Sequence, residues 1–182
     1  MMLGVQLHIS SVQELVEQVA SVENNTHSSM RKPKYGLWTS SWREETQDSG
    51  WVEWCRGEEF DNPEKWQWFL LTPKADSKLY VIDCYADLQR LVDTYKWESP
   101  EAKRLGRDSH LLKYYTGIDF ERLSQDYDGL HLTEKGNRKL HLSYPLDMNA
   151  WDSESTVWFR WCFTKVEKIA PVIAQLEAIG GE

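Results

Sequence analysis

The segment Trp151-Asp152-Ser153-Glu154-Ser155-Thr156-Val157-Trp158-Phe159 constrains the fold more than any other stretch of the chain. Its second half is apolar and β-branched, which predicts a strand that a core must cover. Its first half sets two carboxylates two residues apart at the mouth of that strand. Strand side chains alternate with period 2, so Asp152 and Glu154 are expected on one face. Two readings account for such a pair. It stabilises a developing cation or removes a proton, or it is a solvated strand edge whose charges discourage aggregation.

A chain of 182 residues with 41% hydrophobic content is long enough for one full core and too short for two generous ones. A single domain over 1–182 is therefore expected. Ten tryptophans and eight tyrosines can fill that core or line a cleft with flat stacking surfaces. The net charge of −8 argues against sequence-independent binding to a phosphate backbone, which needs a dense basic surface. A nucleic-acid substrate would have to be met by a local patch. Cys55, Cys84 and Cys162 are odd in number and form no Cys-x-x-Cys, so neither a disulfide framework nor a zinc site is indicated. The N-terminus lacks a basic region followed by a long apolar stretch, and no run approaches the ~20 apolar residues of a bilayer span. The expectation is a cytoplasmic protein without a membrane partner.

Along the chain, Leu3 to Ile9 predicts a strand, and Ser11-Val12-Gln13-Glu14 has the spacing of a capping box. Val12, Leu15, Val16 and Val19 then share one face of a helix that ends near Val22. Further strands are predicted over Gly36 to Ser41, Trp66 to Thr72 and Leu79 to Asp83. Helices are predicted over Gly50 to Arg56 and over Tyr85 to Tyr95, the latter capped by Asp83. Pro100 to Ser109 reads as a charged surface excursion, Phe120 to Gln125 as one or two helical turns, and Asp128 to Leu132 as an alternating strand. Thr133 to Arg138 contains Lys-Gly-Asn and predicts a turn. Leu130-His131-Leu132 and Leu140-His141-Leu142 then become two hairpin arms with both histidines on one face, a polar outer surface or, with a further ligand, a metal site. Ile169 to Ala178 predicts a last helix with Pro171 in its first turn. No Gly-rich loop joins a strand to a helix, which argues against a dinucleotide-binding parallel sheet and for an α+β architecture.

Four pieces stand in chain order: Leu7-His8-Ile9-Ser10, Gly36-Leu37-Trp38-Thr39-Ser40-Ser41, Tyr127-Asp128-Gly129-Leu130, and the strand opened by Glu154. Together they resemble the ADP-ribosyltransferase superfamily, its bacterial and phage toxin-type members in particular. The resemblance implies a split β-sandwich of two small antiparallel sheets with flanking helices, and NAD bound as substrate in the cleft between them. His8 is similar to the family's first-strand residue, Thr39-Ser40-Ser41 to its Ser-Thr-Ser element, and Glu154 to its late-strand Glu.

By that resemblance Glu154 would stabilise the oxocarbenium-like ribose and accept a hydrogen bond from a ribose hydroxyl, while Ser40 orients it. His8 would hydrogen-bond the ribose of NAD, and Asp152 would lie where an acceptor loses its proton. Alternation sets Trp38, Ser40 and Trp42 on one face and Leu37, Thr39 and Ser41 on the other; Ser40 is preferred for the cleft because Leu37 has the character of a core residue. Trp38, Trp51 or Trp54 would stack on nicotinamide, the alternative being core packing. Arg31, Lys32 and Lys34 would approach the pyrophosphate, the alternative being a solvated basic loop. The implied activity is transfer of ADP-ribose from NAD to a macromolecular acceptor, protein or nucleic acid, with no metal required. Asp152 stands where arginine-modifying enzymes carry Glu, which leaves the acceptor open. The competing expectations are an NAD glycohydrolase, a non-catalytic protein-interaction module, and Cys-His chemistry from Cys55 with His8 or His110.

Overall fold

The computed structural model describes residues 3–25, 31–60, 62–105 and 116–172. The chain begins with β1 (Gln6–Ser10) and continues through β2 (Leu37–Arg43), the short β3 (Asp48–Ser49) and α1 (Gly50–Gly57). Ser49 caps α1, its side chain accepting from the Val52 amide. A 3-10 turn over Pro63–Lys65 leads to β4 (Gln67–Pro73), β5 (Leu79–Ile82), α2 (Tyr85–Thr94), β6 (Lys96–Glu98) and α3 (Pro100–Leu105). The remainder comprises β7 (Thr116–Ile118), α4 (Phe120–Asp126), β8 (Gly129–Leu132), α5 (Glu134–Leu140), β9 (Ser155–Trp158) and β10 (Phe163–Ile169). The architecture is α+β, and among the described residues no helix is long and apolar enough to cross a membrane.

Seven strands form one path, β10-β4-β1-β2-β9-β8-β5, with β3 paired to β2 as the eighth, while β6 and β7 make a separate two-stranded sheet. Every pair is antiparallel except β5 with β8. The seam of the large sheet is β2. Its second half pairs with β1, through Gln6↔Ser41 and Leu7↔Ser40, and its first half pairs with β9, from Leu37↔Trp158 to Thr39↔Thr156. The apolar side chains follow this division. The largest cluster gathers Leu88, Leu91, Phe120, Leu130 and Trp151 between the helices and the β8–β9 end, while Phe69, Leu71, Trp158 and Phe163 pack at the β4–β10 end.

Several local expectations are corrected. Residues 11–22 form no helix: Val12 and Val16 are exposed, Leu15 joins the Phe69 cluster and Val22 the larger one. Leu15 and Val22 pack in two different clusters, which a single apolar helix face would not serve. Thr133 to Arg138 is no turn but most of α5; Thr133 caps it by accepting from the Gly136 amide at 2.9 Å. The hairpin therefore does not exist, and the two histidines separate. His131 is buried in β8, and His141 is exposed at the end of α5.

The cap of α2 is Cys84, not Asp83, which instead accepts from Thr133 and pairs with Lys135. Ile169 closes β10, an edge strand absent from the sequence reading, whose outward Lys165 and Lys168 suit an unpaired edge. Residues 173–178 of the last predicted helix lie outside the described residues, as do 106–109 of the charged excursion and His110, while the first part of that excursion forms α3.

Candidate active site

The β1–β2 ladder stops after Leu7↔Ser40, although β1 goes on pairing with β4 as far as Ser10. Continued, the register would set Ile9 opposite Trp38. Instead the His8 ring fills the gap, its Nδ1 lying 2.8 Å from the Trp38 carbonyl oxygen. A carbonyl only accepts, so Nδ1 carries the proton and donates, which leaves Nε2 with a lone pair when the ring is neutral. Burial pushes the His8 pKa down, against the hydrogen bond to Trp38, which raises it. A cavity of about 470 Å³ opens in this fork. Leu7, His8 and Ile9 line one side and Trp38, Thr39 and Ser40 the other, with Trp51, Trp151, Asp152, Ser153 and Ser155 completing the wall. Its size lies in the range of small-molecule sites, roughly 300–1,000 Å³.

Glu154 stands immediately behind that wall, 9% exposed, between the lining residues Ser153 and Ser155. Its Oε2 accepts from Ser40 Oγ and from the Ser41 amide, each at 2.9 Å, and its Oε1 accepts from Ser41 Oγ at 2.9 Å. Adjacent strand residues ordinarily point to opposite faces, so alternation alone assigns the carboxylate one serine or the other. It reaches both because it is also bonded to the main-chain amide of Ser41, two residues beyond the last β2–β9 pair at Thr39. A carboxylate offers about four acceptor sites, so three donors leave one open. The Trp51 amide in the first turn of α1 in turn donates to Ser40 Oγ at 3.3 Å, which ties the helix start to the same hydroxyl.

The other sequence-predicted residues divide between the cavity and its surroundings. Asp152 lines the mouth, 30% exposed, with its Oδ2 3.4 Å from Lys32 Nζ, and so stands apart from Glu154 instead of beside it. Lys32 and Lys34 both line the mouth; Lys34 pairs with Glu23 at 3.0 Å, and Lys32 also lies 5.7 Å from the centre of the Trp38 ring. Arg31 does not line the cavity. Its guanidinium is 1% exposed beside Asp147, and its carbonyl accepts from the Trp151 indole at 3.0 Å, a role in holding the wall. Trp38 meets Trp151 edge-on at 4.8 Å. Trp51 faces the cavity, whereas Trp54 is a layer removed, stacked on Trp51 at 5.0 Å. Thr39 is buried and bonded away from the cavity, to Gln6 Oε1 at 2.9 Å. Cys55 is buried in α1 outside the lining, away from His8's gap.

Four polar residues near Glu154 were not anticipated as partners: Gln6, the Ser41 hydroxyl, His131 and Thr156. The Nδ1 of His131 lies 2.8 Å from Thr156 Oγ1 and 3.6 Å from Glu154 Oε1. Burial pushes the His131 pKa down, against the Glu154 charge and a hydrogen bond to Ser155, which raise it. The one available sign in the sequence was polarity inside otherwise apolar strands, Gln6 before Leu7 and His131 between two leucines. Among the described residues no three metal-ligating side chains gather, here or elsewhere. The site thus joins an anchored carboxylate, a neutral imidazole, aromatic walls and two lysines at the mouth; comparison with protein-family profiles, characterised proteins and solved structures finds no match.

Proposed function

We propose that the chain is an ADP-ribosyltransferase of the bacterial and phage toxin type, cleaving NAD in the fork between β1 and β2 and passing ADP-ribose to a macromolecular acceptor. The observation that carries this reading is the Ser40–Glu154 hydrogen bond of 2.9 Å at the wall of a cavity that also contains His8. The fork supports it as well, because a sheet that opens along β2 provides the cleft that such a split sandwich requires.

In this scheme the bond from the nicotinamide nitrogen to ribose C1′ breaks, its electron pair leaving with nicotinamide. The positive charge, first on the pyridinium ring, develops on C1′ and the ring oxygen of ribose. The Glu154 carboxylate stabilises that charge from immediately behind the wall, between Ser153 and Ser155. Ser40 and Ser41 hold the carboxylate in place, so little reorganisation accompanies the reaction. His8 presents Nε2 as an acceptor to a ribose hydroxyl. Trp38 and Trp51 supply flat walls for nicotinamide, and Lys32 and Lys34 meet the pyrophosphate. The acceptor nucleophile then bonds to C1′ and loses its proton to Asp152.

The test is nicotinamide release from NAD by the purified chain, with and without a crude lysate as acceptor source. Glu154→Gln is expected to lower release by about 100-fold or more. Dependence on lysate would mean transfer, and release without it would mean hydrolysis by water, the glycohydrolase alternative. A folded wild type with neither release nor NAD binding by calorimetry would overturn the proposal in favour of a non-catalytic interaction module.

A further inference from the structure

Behind Glu154 lies a ring of buried polar side chains, of which the scheme above uses only Ser41. The Trp158 indole donates to Thr39 Oγ1 at 2.9 Å, Thr39 donates to Gln6 Oε1 at 2.9 Å, and Thr156 reaches the same Gln6 oxygen at 3.3 Å. Gln6 Nε2 donates to Ser41 Oγ at 3.2 Å, and Ser41 donates to Glu154 Oε1 at 2.9 Å. Gln6, Thr156 and Trp158 have no exposed surface, and Thr39 and His131 are 4% exposed.

Groups that only donate or only accept set the sense of these bonds. The Trp158 indole N–H can only donate, so Thr39 accepts there. The Gly4 carbonyl, 3.3 Å from Gln6 Nε2, can only accept, which turns the Gln6 NH2 group toward Ser41 and its oxygen toward Thr39, so that Thr39 donates to it. Ser41 Oγ, accepting from the amide, has its proton left for Glu154. On the far side Thr156 Oγ1 lies 3.3 Å from Gln6 Oε1 and 2.8 Å from His131 Nδ1, which in turn lies 3.6 Å from Glu154 Oε1. An orphaned polar atom at this depth is costly, which favours this sense of the Thr39–Gln6–Ser41–Glu154 bonds.

We propose that Gln6 is a positioning residue for Glu154: its amide, oriented by Trp158 and Thr39, fixes the Ser41 hydroxyl as a donor to the carboxylate, while Thr156 and His131 close the ring. The contribution to rate rests on the reading of Glu154 as the carboxylate that stabilises the charge on the reacting ribose; the orientation itself does not.

Two readouts on the full chain test this. In nitrogen-15 spectra of the wild type near pH 7, His131 is expected to be neutral. The Gln6 side-chain NH2 is expected to exchange slowly, and both signals should move in Glu154→Gln. In nicotinamide release, Gln6→Glu keeps an acceptor for Thr39 and Thr156 but loses the donor to Ser41. It is expected to lower kcat by on the order of tenfold or more, the size found when partners that orient reacting groups are removed. The KM for NAD should change by less than about threefold, because substrate binding is not what is lost. Gln6 amide protons indifferent to Glu154→Gln, or a folded Gln6→Glu protein with wild-type kcat, would each overturn the proposal. Should Gln6→Glu fail to fold, the wild-type spectra decide. Spectra as expected in a protein that releases no nicotinamide would overturn the NAD reading and leave the positioning of Glu154 intact.

Discussion

His8 and His131 are both held neutral by burial, in the fork and behind Glu154 respectively. Their folded pKa values are depressed below the unfolded value of about 6.5, so on acidification the unfolded chain takes up protons first. Stability from this source is complete above pH about 6.5 and is lost as the pH falls through the two folded values. Urea midpoints are accordingly expected to fall between pH 7.5 and pH 5, and to fall less in His131→Gln. An equal fall in both proteins would exclude His131 as a contributor. At this scale the sequence was informative about members and less so about partners. Glu154, Ser40, His8 and Asp152 were brought together by the resemblance, and His8, Ser40 and Asp152 line one cavity with Glu154 behind its wall. Nothing in a period-2 pattern shows that one carboxylate bonds two consecutive serines, or that His131 comes within 3.6 Å of it.

At the element scale, α5 closely approaches the end of β5. A Cβ added at Gly136 would collide with the Ile82 carbonyl oxygen, and the Leu132 side chain would lie 3.1 Å away. Gly136→Ala should therefore destabilise the protein by about 1–3 kcal/mol through overpacking, despite alanine's advantage of about 1 kcal/mol inside a helix. Thermal unfolding measures the net effect, and a stabilised variant would mean that α5 stands further from β5. The same glycine explains why α5 was unreadable, since Lys-Gly-Asn carries turn residues whose purpose here is close approach. The failed helix at 11–22 is the converse case. Its apolar stripe was real, but Leu15 and Val22 belong to different clusters, and Lys168 holds the Gln13 carbonyl at 2.8 Å from the edge of the sheet. Strands with apolar cores, such as β2, β4 and β5, were found to within a residue or two because burial and local preference agree there. β10, with four of seven side chains exposed, carries too little apolar pattern to be seen.

Across the whole molecule, the fork, the cavity and the polar ring all depend on β2 being paired on both edges. A ligand that binds only this folded arrangement stabilises it by mass action, by about 2.7 kcal/mol at a hundredfold excess over its Kd. For a chain of this size each kcal/mol raises the melting temperature by roughly 2–4 °C, so saturating NAD is expected to add roughly 5–11 °C. Differential scanning fluorimetry with NAD checks this, and no shift in a wild-type protein would count against the NAD site.

The way β1 leaves β2 has a consequence for how this chain can vary. In an ordinary ladder the donor facing a carbonyl is another peptide group, and no codon change other than one to proline removes it. Here the donor to Trp38 is the imidazole of His8, so a structural bond of the sheet is encoded by a single side chain. Replacements at that codon that keep a donor of similar reach preserve the opening. Those that lose it leave a carbonyl facing a void, or let the strands zip together and close the cleft. The gape of the molecule is thus inherited at one position, where drift in the surrounding sheet cannot compensate for it.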